Sequence, residues 1–384
     1  MRSSSAPGIL LRIAAAHARS LDAMLAAVCH DFGQPLVFEE VELASPGPGE
    51  VKLHIAACAI CQSDVHSIDG AWGGELPCIF GHEAAGTVEA VGTGVEHVRP
   101  GDRVVVSLVR SCGACYFCRR GERPSCNAAF PLSEHSPLHL ASEGAIRQGL
   151  AVGGFAERAL VHASQVVAIP DDLSFDRAAL LGCGVVTGFC AVTRIAALAP
   201  GDDVVVMGAG GVGLNIVQAA RLSGAASIVV ADLDRAKLAA ATRLGATHTA
   251  NLLEHEDVDG IVGALTDRRG ADCVFVAAGS PVAFERGLQL LRRGGMLVVV
   301  GMPAYGVTVD IEPVRIAEGS YRIVGSKMGG TDLAVDIPQL IQLHRDGQVD
   351  LDALIADRYT FEEINEALAS AREGVVGRNV IEFP

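Results

Sequence analysis

The sequence predicts an α/β protein of two domains, one of them built on a doubly wound parallel sheet. Three observations lead there. The chain has 384 residues, more than one hydrophobic core usually serves. The run from Asp202 to Asp234, DDVVVMGAGGVGLNIVQAARLSGAASIVVADLD, reads as strand, glycine turn, amphipathic helix and second strand. After it, GADCVFVAAG, FERGLQLLRRGGMLVVVGMP and YRIVGSKMGG continue the alternation expected of a parallel sheet with helices on both faces.

In chain order, residues 1–23 are short of acids and carry a brief apolar patch with a faint likeness to a targeting peptide. They read better as a tail, disordered or an artefact of start-site choice. From Met24, MLAAVCHDFGQPLVFEEVEL reads as a first strand and a hairpin-like second. Val204 to Met207 and Ser227 to Ala231 are the strands flanking the glycine turn and its helix. Ile337 to Arg345 and Phe361 to Arg372 read as helices, and Asn379 to Phe383 as a closing strand. No repeat or long low-complexity tract interrupts this order.

Half of the residues are apolar, yet no window reaches the eighteen or more charge-free apolar residues of a membrane span. Acidic residues outnumber basic ones 45 to 30, and a net charge of −15 repels phosphate backbones. Arg119, Arg120 and Arg123 form only one small basic patch. A small-molecule partner is expected, with neither nucleic acid nor membrane.

Eleven cysteines without a secretory signal argue against a disulfide framework and for a cytoplasmic protein. Cys112, Cys115, Cys118 and Cys126 make C-x2-C-x2-C-x7-C, whose short gaps let thiolates converge on one ion. Four thiolates close a tetrahedral zinc site, so this one is structural. The alternatives are an iron–sulfur cluster, which needs another spacing to its fourth ligand, and free or redox-active thiols. Upstream, CQSDVH and GHEAAG offer Cys61 and His82, and LLGCGVVTG offers Cys183. Cys, His and Cys are the three-ligand set of a catalytic zinc with an open fourth place, suited to Lewis-acid chemistry on a carbonyl or hydroxyl.

Gly208, Gly210 and Gly213 fit G-x-G-x-x-G between a strand and a helix, with Gly211 and Val212 inside the motif. Absent side chains there let backbone approach a pyrophosphate at the helix N-terminus. Asp232, nineteen residues after Gly213, would accept from a ribose hydroxyl and repel a 2′-phosphate, favouring NAD over NADP. Its alternative role is a cap on the following turn.

With these three motifs in this order, the chain from Met24 to Pro384 resembles the zinc-containing, medium-chain alcohol dehydrogenases. The resemblance implies a GroES-like, mainly β catalytic domain (24–184, zinc lobe at 112–126), a Rossmann NAD-binding domain (185–327) and a return to the catalytic domain (328–384). It implies two Zn2+ per chain, with Cys61, His82 and Cys183 on the catalytic ion and the four-cysteine lobe on the structural one. Ser63 then takes the alcohol proton and His66 passes it to solvent. Asp64 stands beside His82, where a turn cap is the other reading, and Glu83 lies behind the metal. Lys237 joins Asp232 at the adenosine ribose, and Arg378 lies near the pyrophosphate. Trp72 and Leu108 line the substrate pocket, where an indole would narrow it or offer a stacking face. Gln62 replaces a basic residue common at the pyrophosphate, which implies weaker cofactor binding.

The implied reaction is hydride transfer between an alcohol and NAD, giving an aldehyde or ketone, in a homodimer or a tetramer. The apolar run GGMLVVVGMP is expected to be the edge strand that pairs across the two-fold axis. Oxidation of S-(hydroxymethyl)thiols and a non-catalytic zinc- and nucleotide-binding regulator are the alternatives. His135 and His139, in the long loop after Cys126, read as a solvated surface pair, and Cys29, Cys58, Cys78, Cys190 and Cys273 as small buried hydrophobes.

Overall fold

The computed structural model describes residues 21–140 and 144–384. Of the stretch 1–23 read as a tail, residues 1–20 lie outside the described residues. The first strand, Leu21–Val28, opens ahead of Met24 and runs antiparallel to Val37–Ala44, with Leu21 opposite Ala44. An ion pair from the buried Lys52 to Asp22 fixes this early start, a tertiary contact that local sequence does not announce.

Two sheets form the mainly β half. One has five strands, ordered Leu21–Val28, Val37–Ala44, Leu138–Leu140, Ala145–Gln148 and Cys78–Ile79. The other runs Val166–Ala168, Arg103–Val106, Glu83–Val91, Glu50–Ala59, Arg378–Glu382 and Ile355–Thr360, with Arg158–His162 also paired to Glu50–Ala59. Thus the C-terminal strand pairs with Glu50–Ala59, and the first and last described strands serve one half of the chain. Its core holds Val41, Leu53, Ile55, Phe155, Leu160 and Phe361, all buried. The segment after Cys126, read as a long loop, adds the strands Leu138–Leu140 and Ala145–Gln148, because Leu138 and Ile146 alternate into that core.

The other half is a six-stranded, wholly parallel sheet. Numbered along the chain, its strands Asp203–Met207, Ser227–Asp232, His248–Asn251, Ala271–Val276, Leu291–Val299 and Arg322–Gly325 lie in the order 3-2-1-4-5-6. The strand Asp203–Met207 is buried along its whole length, as a strand covered on both faces must be. The sheet order reverses between this strand and Ala271–Val276, the place where such sheets bind ligands. The run GGMLVVVGMP supplies the strand Leu291–Val299, which is hydrogen-bonded on both sides, so the expected edge lies instead at Arg322–Gly325. Both segments carry an apolar run in sequence, MLVV and IV; only the pairing tells an inner strand from an edge.

Sequence-read elements hold with shifted ends. The helix read from Ile337 begins at Leu333, and the one read from Phe361 starts as a 3-10 turn, Phe361–Glu363, before Ile364–Glu373. The closing strand is Arg378–Glu382.

Candidate active site

Four thiols gather in the lobe at Cys112, Cys115, Cys118 and Cys126, their ligand atoms all within 4.8 Å of one another. Backbone N–H groups point at the sulfurs: Cys115 N to Cys112 Sγ at 3.3 Å, Cys118 N to Cys115 Sγ at 3.5 Å and Cys112 N to Cys126 Sγ at 3.4 Å. Such donors favour thiolate over thiol. The N–H of Cys118 leads the groups that hold the Cys115 thiol down to about 6. Burial, by contrast, pushes Cys118 up to about 11. The lobe is tied to the rest of the fold by Arg123, whose Nε lies 2.6 Å from Asp332 Oδ2.

A second cluster is buried at the junction of the two halves. Cys61, His82, Glu83 and Cys183 bring one ligand atom each within 4.8 Å of one another. Cys61 ends the segment after the strand Glu50–Ala59 and caps the short helix Gln62–Ile68. His82 and Glu83 stand where Glu83–Val91 begins, and Cys183 precedes the helix Gly184–Cys190. The cluster therefore exists only when these three chain segments pack.

Asp64 organises it. Its Oδ1 accepts from His82 Nδ1 at 2.9 Å and from Gly81 N at 2.9 Å, while Oδ2 accepts from Cys61 N at 3.0 Å. The two sequence readings of Asp64, a partner of His82 and a turn cap, are both realised by one carboxylate. With Nδ1 donating to Asp64, the His82 Nε2 lone pair is free, and that atom is buried without a hydrogen-bond partner. Glu83 Oε2 is also buried and unpartnered. Buried polar atoms of this kind, each with a free lone pair, need a partner. Two sulfurs, an imidazole nitrogen and a carboxylate oxygen are a zinc donor set, so the residues fit that ion.

Burial disfavours a charged His82, but Asp64 and Cys61 together outweigh it and raise the imidazole above its ordinary value, so a bound cation has to displace the Nε2 proton. The Cys61–Cys183 hydrogen bond lowers Cys61 and raises Cys183, so one thiolate is already favoured. Burial pushes Glu83 up to about 8, against the pull of the Arg378 guanidinium. Arg378 Nε lies 3.2 Å from Glu83 Oε1, and a second nitrogen of the same fork donates to Cys61 Sγ at 3.5 Å.

Arg378 also reaches the glycine turn, since a Cβ on Gly211 would stand 2.3 Å from its Nη1. One side chain thus touches the donor cluster and the start of the helix Gly211–Leu222. Gly208 has φ +103°, and a Cβ on Gly213 would lie 1.9 Å from the Gly208 carbonyl oxygen, so the turn closes only with hydrogen at both positions. Space beside Gly210 is open. Val212 follows in the first turn of the helix and packs against the large core under the sheet. Asp232 Oδ2 accepts from Ala209 N at 2.6 Å, and Oδ1 accepts from the Leu233 and Asp234 N–H groups at 2.7 and 3.0 Å. The capping role is present, and the same bonds hold the carboxylate beside the glycine turn.

Ser63 and His66 are three residues apart on Gln62–Ile68, hence on one face, and both are half-buried. Gln62, on the same helix, is exposed. Lys237 is half-buried and points towards the end of the helix Ile364–Glu373, with Nζ 3.1 Å from where a Gly374 Cβ would stand. Leu108 packs between the two large cores. Trp72, expected to line the substrate pocket, donates its indole N–H to the Pro303 carbonyl at 3.0 Å. Sequence reasoning missed Met328, whose Sδ lies 3.6 Å from Cys183 Sγ and 3.5 Å from Thr187 Oγ1. Nothing in its local sequence marks it. His135 and His139 line a polar surface cavity with Glu75, Glu134 and Arg147, and belong to no ligand cluster among the described residues.

A donor cluster that fits zinc and a dinucleotide-type glycine turn are thus bridged by one arginine. Residues 47–171 match the alcohol dehydrogenase GroES-like domain, and residues 211–345 match the zinc-binding dehydrogenase domain. The NDMA-dependent alcohol dehydrogenase of Amycolatopsis methanolica is 33% identical over 368 residues, covering 93% of this chain and 98% of its own. The alcohol dehydrogenase class-2 isozyme 2 of Oryctolagus cuniculus is 33% identical over 372 residues, covering 93% and 97%. The benzyl alcohol dehydrogenase of Acinetobacter calcoaceticus superposes with a TM-score of 0.88 at 28% identity, covering 95% of this chain and all of that one. On these grounds the chain is a member of the zinc-containing medium-chain alcohol dehydrogenase family, with its GroES-like and Rossmann halves.

Proposed function

We propose that the protein is an NAD-dependent alcohol dehydrogenase that oxidises a small alcohol to an aldehyde or ketone, and the reverse, with two zinc ions per chain. The observation that carries this reading is the buried Cys61–His82–Glu83–Cys183 cluster, with its orphaned His82 Nε2, joined through Arg378 to the Gly208–Gly213 turn. Zinc in that cluster would supply Lewis-acid polarisation of the substrate oxygen, and NAD would supply the hydride acceptor.

The chain's own residues do the rest. Cys61, His82 and Cys183 hold the ion, and Asp64 keeps His82 in the tautomer that presents Nε2. Ser63 Oγ accepts the hydroxyl proton of the alcohol, and His66, on the same helix face, carries it to solvent. Arg378 and the Gly208–Gly213 turn bind the pyrophosphate, with Lys237 and Asp232 at the adenosine ribose. The Asp232 carboxylate, fixed by three backbone N–H groups, would repel a 2′-phosphate, which supports NAD over NADP. Cys112, Cys115, Cys118 and Cys126 hold the structural ion. All eleven cysteines are unpaired, which supports a cytoplasmic location, and among the described residues no helix is long and apolar enough to cross a membrane. The edge strand Arg322–Gly325, with Ile323 exposed, supports a homodimer in which two parallel sheets join.

The test is metal content per chain together with absorbance at 340 nm, using NAD, NADP and a panel of primary alcohols. Two zincs and NADH formation support the reading. One zinc and no reduction of either cofactor would leave only the structural lobe.

A further inference from the structure

The two halves of the chain meet at its single tryptophan. Trp72 follows the helix Gln62–Ile68, in a turn where Gly70 and Gly73 have φ of +77° and +64°. The indole N–H donates to the carbonyl of Pro303, 231 residues away, at 3.0 Å. One residue earlier, the Ala71 carbonyl accepts from Tyr305 N–H at 3.3 Å. Two hydrogen bonds therefore strap the segment 303–305 of the nucleotide half to the segment 71–72 of the catalytic half.

On its other side the indole packs on His66, with ring centroids 5.5 Å apart and planes tilted by 47°. The Ala71 N–H donates to the His66 carbonyl at 2.9 Å, so the turn and the histidine backbone are also joined. An indole suits this place because an apolar body can lie on a ring while its N–H stays bonded at the edge.

Met302, just before the strap, and Tyr305 within it are 55% and 78% exposed, so Tyr305 adds little apolar burial at the strap's tip. Segments held by few contacts are those that open locally at low cost. At its root, by contrast, the strap fits tightly onto the sheet. A Cβ on Gly301 would stand 2.4 Å from the Ala278 carbonyl carbon, and a Cβ on Gly208 would stand 3.0 Å from Ala278 N. Close contacts thus run from the glycine turn through Ala278 and Gly301 to Pro303, Trp72 and His66.

We propose that Trp72 is a positioning residue that latches the strap over the bound dinucleotide and holds the His66 ring for proton transfer. Exchange of the cofactor then requires the Trp72–Pro303 bond to break. This rests on the dinucleotide reading of the Gly208–Gly213 turn given above, and it adds a residue and a motion to that reading.

The single tryptophan makes the latch observable. With zinc-loaded, full-length protein, acrylamide quenching of Trp72 emission is expected to fall when NADH saturates, while NADH binding is followed separately by the cofactor's own fluorescence. In W72F the ring stays but the N–H is lost. The NADH dissociation rate should then rise roughly 2- to 10-fold, the factor that losing one hydrogen bond gives. In W72L the packing on His66 is lost as well, and the pre-steady-state burst of NADH formation should slow further than in W72F. A merely structural role would instead lower melting temperature and zinc content in both variants without separating dissociation from the burst. NADH binding that leaves Trp72 quenching unchanged in the parent protein, together with an unchanged NADH dissociation rate in W72F, overturns the latch alone. If no NADH binds to the parent protein, the dinucleotide reading fails and the latch falls with it.

Discussion

Asp64 offers the sharpest perturbation of the buried cluster. It is fully buried, and its two oxygens accept three hydrogen bonds, from His82 Nδ1, Gly81 N and Cys61 N. In Asp64→Asn one oxygen becomes an NH2 group, and a donor must face a donor. If the amide oxygen keeps His82 and Gly81, the Cys61 N–H is orphaned; if it turns over, two donors are. One unsatisfied buried donor costs about 1–3 kcal/mol of stability. The weaker orientation of His82 adds a loss of roughly 10- to 100-fold in metal affinity, about 1.4–2.7 kcal/mol. The assay is zinc stoichiometry under chelator competition beside a melting curve. The variant should release one of two zincs at lower chelator concentration, while the ion held by Cys112, Cys115, Cys118 and Cys126 stays. Lower stability with an unchanged chelation curve would show that Asp64 only caps the turn at Cys61, and would refute its role towards His82.

Three further outcomes follow from the same geometry. Cys115→Ser removes the sulfur that accepts from Cys118 N, so the protein should hold one zinc and melt earlier, measured by metal analysis and calorimetry; equal stability with lower turnover alone would contradict a structural lobe. Ser63→Ala should lower the turnover number for alcohol oxidation by about 10²–10⁴-fold with zinc content intact, as loss of a proton acceptor does, and near-normal turnover would place the proton elsewhere. Asp232→Ser should raise the kcat/KM ratio of NADP to NAD. A serine cannot serve the Ala209, Leu233 and Asp234 N–H groups together, so a stability loss of about 1–3 kcal/mol should accompany it; an unchanged cofactor ratio would remove Asp232 from the ribose site.

The sequence by itself determined whatever depends on near neighbours. The four-cysteine lobe was readable because its ligands fall within fifteen residues and its N–H···S bonds are local. The glycine turn was readable because Gly208 and Gly213 need hydrogen for backbone reasons, and the parallel strands because burial on both faces makes them continuously apolar. The Cys61, His82 and Cys183 set was proposed from residue types and gained weight only through the resemblance. Tertiary structure alone decided the rest. It placed three distant segments around one buried centre and showed Asp64 serving a cap and a histidine at once. It gave Arg378 to Glu83, Cys61 and the glycine turn together. It set Leu291–Val299 inside the sheet and Arg322–Gly325 at its edge, and it brought Trp72 to Pro303 and Met328 to Cys183. Periodicity and spacing record which face of an element is buried; they carry no information about which distant element covers it, and that choice is made by packing across the whole chain.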